Sequence, residues 1–183
     1  MKKNILFIFL ILLTVLASSC KGDKNIMEKY PSLKDESHII KELSGKELIE
    51  KIANQESFVV LLGFEACPWC QALVPEYNAV GKKLEFKEIY YLDIKDMRDN
   101  PDSNDKIYYE SLYSYFNEVI DKNNDRINAP TVLGVKDGKL VGYLIDTVPS
   151  HVKNDLGILP PLTTTQKNEL HLLLEDIFNK TKN

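Results

Sequence analysis

The chain is 183 residues long, 44% hydrophobic and 27% charged, with a net charge of −4 from 23 Lys and Arg against 27 Asp and Glu. That length suits one domain with additions rather than two full domains. The acidic balance argues against a nucleic-acid partner, and no polybasic patch marks a membrane-binding face.

Met1-Lys2-Lys3-Asn4 is a short basic region, Ile5 to Leu13 is unbroken apolar, and Ala17-Ser18-Ser19 are small residues ahead of Cys20. Residues 1–19 therefore read as a secretory signal, too short for a comfortable membrane span. The stretch Leu16-Ala17-Ser18-Ser19-Cys20 resembles a bacterial lipoprotein signal, with Ala17 standing where a larger apolar residue is usual. The resemblance implies that Cys20 is lipidated, that acyl chains anchor the protein, and that it lies on the extracytoplasmic face of the cell membrane. With Cys20 acylated, the remaining cysteines are Cys67 and Cys70, in a compartment that permits disulfides. Residues 20–38 are polar, carry Gly22 and Pro31, and read as a flexible tether before a domain spanning 39–183.

Within the domain, Leu48, Ile49 and Ile52 share a face of a short helix, with Ser44 and Glu47 placed to cap it. Phe58 to Phe64 has no polar residue and reads as a central strand covered on both faces. Cys67-Pro68-Trp69-Cys70 follows, opening a helix that runs to about Lys83 with Leu73, Val74, Tyr77 and Val80 on its apolar face. Pro75 within it removes one hydrogen bond and predicts a kink. Two cysteines three apart at a helix start face the same way, and the first lies where free N–H groups and the helix dipole stabilise a thiolate. The pattern describes a redox dithiol.

A second strand is predicted over Phe86 to Leu92, then a polar loop from Arg98 to Asp105 that lacks the ligand order of a calcium loop. Ile107 to Val119 reads as a Tyr-rich helix, and Asp121 to Asn128 as a polar turn. Ala129-Pro130-Thr131 leads into two apolar strands joined at Asp137-Gly138, the strongest hairpin signal in the chain. A proline-bearing loop over Asp146 to Pro161 precedes a last helix, Thr163 to Asn179, with Thr163 and Gln166 as its capping pair. His38, His151 and His171 are scattered; zinc at Cys67, Cys70 and His151 lacks a fourth ligand, so neither a metal nor another cofactor is expected.

The element order, the C-x-x-C motif and Ala129-Pro130-Thr131 resemble the thioredoxin superfamily over roughly residues 44–180. The likeness is greatest to exported thioredoxin-like lipoproteins of Gram-positive bacteria, including bacteriocin-transport accessory proteins. It implies a thioredoxin-like α/β fold, a central mixed sheet flanked by helices, with an extra helix inserted before the cis-proline strand. It further implies a monomeric thiol–disulfide oxidoreductase acting on exported protein or peptide thiols and disulfides, able to take electrons from a membrane redox partner. Carried onto this sequence, Cys67 is the solvent-facing attacking thiol and Cys70 the buried resolving one. Pro130 is the cis-proline, Ala129 the contact for an extended substrate backbone, and Trp69 an apolar surface beside Cys67. Leu61 stands where thioredoxin has a buried acid serving the second thiol, and Glu65, the nearest acid in sequence, reads as solvated. The direction of electron flow stays open. The alternative is a membrane-tethered peptide-binding module, with the dithiol secondary.

Overall fold

All six residues of β2, Phe58–Gly63, are buried, and the rest of the molecule is arranged about them. The computed structural model describes residues 24–182; the signal and Cys20 lie outside the described residues. The strand alternates: Val59 and Leu61 face one side of the sheet, Phe58, Val60 and Leu62 the other. A strand buried on both faces must be covered by helices on both.

Around β2 lies a five-stranded mixed sheet in the order β1-β3-β2-β6-β7. The short edge strand β1 (Ile40–Glu42) and β2 each run parallel to β3 (Ile89–Asp93). On its other side β2 pairs antiparallel with β6 (Thr131–Lys136), which turns back into β7 (Lys139–Ile145). The β6–β7 turn is Asp137-Gly138, both with positive φ (50° and 73°), the conformation that matches hairpin twist. Behind β6, a methyl group on Gly134 would stand 2.7 Å from Ile177 Cγ2, so the glycine lets the last helix approach closely.

One face of the sheet carries α3 (Pro68–Lys83) and the final helix α6 (Thr164–Lys182), which meet through Tyr77 and Phe178, rings edge-on at 5.5 Å. The opposite face is covered by α2 (Gly45–Ala53), the short α4 (Lys95–Asp99) and α5 (Lys106–Tyr115), with Leu48, Ile52, Met97, Tyr109 and Leu112 buried there. Ser44 and Glu47 form the expected capping box on α2. Thr163 and Gln166 form the same reciprocal pair at the start of α6, with backbone bonds of 2.9 and 3.3 Å. The arrangement is a thioredoxin-like α/β fold, as the sequence predicts.

The edge strand β1 has no counterpart in the sequence reading and β3 starts at Ile89 rather than Phe86; three further elements differ from it. The segment expected to be a tether is packed over 24–38: α1 (Lys24–Lys29) and the turn after it bury Ile26, Tyr30 and Leu33 against the α3 face. Ser32 explains part of that docking. Its hydroxyl donates to the Gln71 carbonyl at 2.7 Å, the acceptor whose helical partner would be the N–H that Pro75 lacks. Secondly, Arg98 and Asp99 belong to α4 rather than to a loop. Thirdly, the Tyr-rich helix stops at Tyr115, and the predicted turn after it holds a small ribbon, β4 (Ile120–Asp121) with β5 (Arg126–Ile127). Among the described residues no helix is long and apolar enough to cross a membrane.

Candidate functional site

Three elements converge where β2 ends: the N-terminus of α3, the segment entering β6, and the loop leaving β7. Cys67 is the N-cap of α3, in extended conformation, with Pro68 in the first turn, where its missing N–H is no loss. The Cys67 sulfur accepts from the Cys70 N–H at 3.4 Å. Its own proton points at the Ala129 carbonyl, also 3.4 Å away. The two cysteines are free thiols, near one another but unlinked.

Cys67 is less open than the sequence suggests: 5% exposed, against 0% for Cys70. The order of accessibility is the expected one, but the solvent-facing description needs correction. Two long-range neighbours close the approach. Ala129, half-buried, brings its carbonyl onto the sulfur, and the Ala129–Pro130 peptide bond beside it is cis, with Pro130 buried. The Asp146 N–H donates to the Pro130 carbonyl at 2.8 Å, so the loop after β7 is pinned to the same spot.

The inserted helical layer positions this segment. Tyr109 Oη accepts from the Ile127 N–H at 2.9 Å, Arg98 Nη1 donates to the Ile127 carbonyl at 3.4 Å, and Thr131 Oγ1 donates to the Asn128 carbonyl at 2.7 Å. α4 and α5 thus hold Ile127, and the Thr131–Asn128 bond closes the short segment from there to the cis-proline next to Cys67.

Trp69 is half-buried against the core that holds both cysteines and is tied to the loop after β7. Its Nε1 donates to the His151 carbonyl at 3.2 Å, and Lys153 Nζ lies 5.2 Å from the ring centre. His151 is itself fastened at both nitrogens, Nε2 to the Pro160 carbonyl at 2.8 Å and Nδ1 to the Thr147 hydroxyl at 2.9 Å. A carbonyl only accepts, so Nε2 is the donor to Pro160. Beside Trp69 lies an open cavity of about 430 Å³ lined by Leu144, Val148, Val152 and Leu173. Val152 is 62% exposed at its rim. Among the described residues, no three His, Cys, Asp or Glu side chains are grouped to hold a metal ion.

The two thiols are driven apart in acidity. The hydrogen bond with Cys70 is the largest influence on Cys67; with the Cys70 and Trp69 backbone N–H groups it outweighs burial and the nearby Asp146 carboxylate, bringing the thiol from 9.0 down to about 7. Cys70 is pushed the other way, first by its bond to Cys67, then by burial, with Asp93 adding to the effect. Alkylation of Cys67 by iodoacetamide is accordingly expected to rise through about pH 7 and level off by about pH 8, while Cys70 stays unmodified; a midpoint near the free-cysteine value of about 8.5 refutes the assignment.

Asp93, Asp146, Arg98 and the hydroxyls of Tyr30 and Tyr91 were not singled out from sequence. Asp93 adjoins the end of a predicted strand and was readable as a strand-end acid. The others reach the site from remote elements. Glu65 is exposed, as expected.

The fold and the cysteine pair define a class: a thioredoxin-like α/β domain with a C-x-x-C pair at the head of the helix that follows its central strand. Comparison with known proteins finds no family model that matches the chain and no curated protein that matches it.

Proposed function

We propose that the protein is a thiol–disulfide oxidoreductase acting on protein or peptide clients outside the cytoplasm, anchored to the membrane through a lipid on Cys20. The observation that carries the reading is the placement of two adjacent free thiols, Cys67 capping the helix with its sulfur 3.4 Å from the Cys70 N–H and Cys70 fully buried behind it, an arrangement that lowers the pKa of the first and raises that of the second. Cys67 as thiolate attacks one sulfur of a client disulfide, the client's other sulfur leaves as thiolate, and a mixed disulfide forms. Cys70 then attacks Cys67 and expels the second client sulfur, leaving an internal disulfide and a reduced client. The Ala129 backbone lies against Cys67 and is the proposed contact for an extended client chain, with Pro130 fixing its path and Trp69 flanking it.

Electron flow toward the client is the direction best supported. Strong dithiol oxidants hold their attacking thiol near a pKa of about 3.5, which stabilises the reduced form; a thiol near 7 does so far less. Equilibration of the pair against a glutathione series tests this. A two-electron couple near or below about −250 mV is expected, a value near about −120 mV makes the protein a disulfide donor, and no internal disulfide at any poise ends the redox reading.

One observation favours a second reading, a peptide-binding accessory module of the kind found in bacteriocin transport. The cavity beside Trp69, with exposed Val152 at its rim, offers apolar contact independent of either sulfur. A chain lacking both cysteines that keeps its biological role would establish it.

A further inference from the structure

A buried thiol must lose its proton before it can attack, and the apolar side chains that surround Cys70 accept none. The packed N-terminal segment supplies what they lack. Tyr30, on the turn after α1, is fully buried, and its ring meets that of Tyr91 on β3 edge-on at 5.4 Å. The Tyr30 hydroxyl donates to the Tyr91 hydroxyl at 3.1 Å, and Tyr91 donates to Asp93 Oδ2 at 3.2 Å. This is a directed chain. Each donor points toward the carboxylate, so the Tyr30 oxygen keeps a lone pair for a proton arriving at its inner end.

That inner end borders Cys70 across Gly63 without bonding to it in the resting pair, where the Cys70 thiol bonds to Cys67. A methyl group placed on Gly63 would stand 3.0 Å from Cys70 Sγ, 3.6 Å from the Tyr30 hydroxyl and 3.6 Å from the Tyr91 ring, so all three border one small space over a residue without a side chain. The outer end reaches solvent, because Asp93 is partly exposed. Its second oxygen accepts from the Lys95 N–H at 3.0 Å.

We propose that Tyr30, Tyr91 and Asp93 form a proton relay for Cys70, carrying the thiol's proton to the Asp93 carboxylate when Cys70 attacks the mixed disulfide. The inference rests on the disulfide-exchange reading and deepens it. In the step, Cys67 is tied up in the mixed disulfide, so the Cys70 thiol turns from it to the Tyr30 hydroxyl; the Cys70 proton passes to the Tyr30 oxygen, the Tyr30 proton to Tyr91, and the Tyr91 proton to Asp93, leaving a neutral carboxyl and a Cys70 thiolate. The thiolate forms the bond to Cys67 Sγ while the Cys67–client bond breaks and the client leaves as thiolate, which is protonated by solvent or by Asp93. Both hydroxyls stay neutral throughout, since burial raises each far above the ordinary tyrosine range. The other polar groups facing this chain are the Phe64 backbone N–H and Cys67 on the Cys70 side, and Lys29 over the Tyr91 ring at 5.8 Å, itself paired with Glu42.

The test mixes the reduced full-length chain with oxidised glutathione, quenches with acid at intervals, and separates by mass the Cys67–glutathione adduct from the closed disulfide. Tyr30→Phe keeps the ring packing, and Asp93→Asn keeps the shape. In each, closure is expected to slow by about 100-fold at pH 7 while the adduct accumulates, with the deficit vanishing toward about pH 9 as hydroxide replaces the relay. The double variant is expected to be no slower than either single one, because both cut the same chain. Closure at the wild-type rate, or slowed by one constant factor at every pH, overturns the relay and leaves Tyr30 a packing residue. A wild-type chain that forms no adduct and never closes removes the disulfide-exchange reading itself, an outcome distinct from a relay that fails in a competent enzyme.

Discussion

Replacing Cys67 with serine is expected to reduce disulfide exchange to the uncatalysed background, whereas Cys70→Ser is expected to trap the client as a stable mixed disulfide on Cys67. The asymmetry follows from the geometry at the head of α3. Cys67 caps the helix and is the less buried sulfur; Cys70, one turn in, is enclosed. Serine at 67 preserves the cap but cannot form a sulfur–sulfur bond, so the loss is complete without unfolding. The Cys70 variant also removes the largest influence acidifying Cys67. The Cys70 and Trp69 N–H groups remain, so a full return of the thiol to about 8.5 is the limiting case, in which the thiolate fraction at pH 7 falls from about half to about 3%, roughly 16-fold. The more basic thiolate is intrinsically about fivefold more nucleophilic, so net capture slows only about threefold. Trapping therefore survives the loss of the helper thiol, and adducts recovered on non-reducing gels identify clients. Equal trapping by both single variants, or exchange that persists without Cys67, contradicts the assignment.

A chain starting at residue 39 is expected to lose most of its folding stability. The segment 24–38 places Ile26, Tyr30 and Leu33 at 0, 0 and 2% exposure, all against the α3 face. Removing a buried side chain of this size costs about 2–5 kcal/mol. Three together reach about 6 kcal/mol at the low end, comparable with the whole stability of many domains. The truncation also frees the Gln71 carbonyl from Ser32, and the Gln71 amide from the Lys29 carbonyl it bonds at 2.8 Å. Urea unfolding followed by Trp69 fluorescence reads the result. A truncated chain whose midpoint matches the parent's shows that the segment is a passive leash.

What was legible in the sequence is what short-range rules govern. The two capping boxes, the Asp137-Gly138 turn and the polar-free run of β2 each depend on residues a few positions apart, and each appears where the pattern puts it. The N-terminal segment shows a signal passed over: Ile26, Tyr30 and Leu33 are spaced four and then three apart, an apolar face inside a polar composition. Composition averaged over 20–38 hid it. The cover over Cys67 could not be read locally, because it is made by Ala129 and by the loop at Asp146, each brought there by strand pairing. The same holds for Tyr30 and Cys70, 40 apart in sequence, which border the same space over Gly63 only because an added segment folds back across the dithiol helix.

The docking of α1 also sets how far the domain can travel. With a lipid on Cys20, as proposed, three residues, or four Cα–Cα steps, lie between the anchor and Lys24, where the described fold begins. At no more than about 3.5 Å per step, that separation cannot exceed about 14 Å, against about 67 Å for the nineteen steps to a fold beginning at residue 39. The half-sphere that the site can sweep shrinks as the cube of that length, to about 1% of its size. A membrane-bound partner within that shell meets the dithiol at an effective concentration about 100-fold higher, while one standing farther from the bilayer is out of range. On the proposed anchoring, those fifteen packed residues confine the dithiol to the bilayer surface.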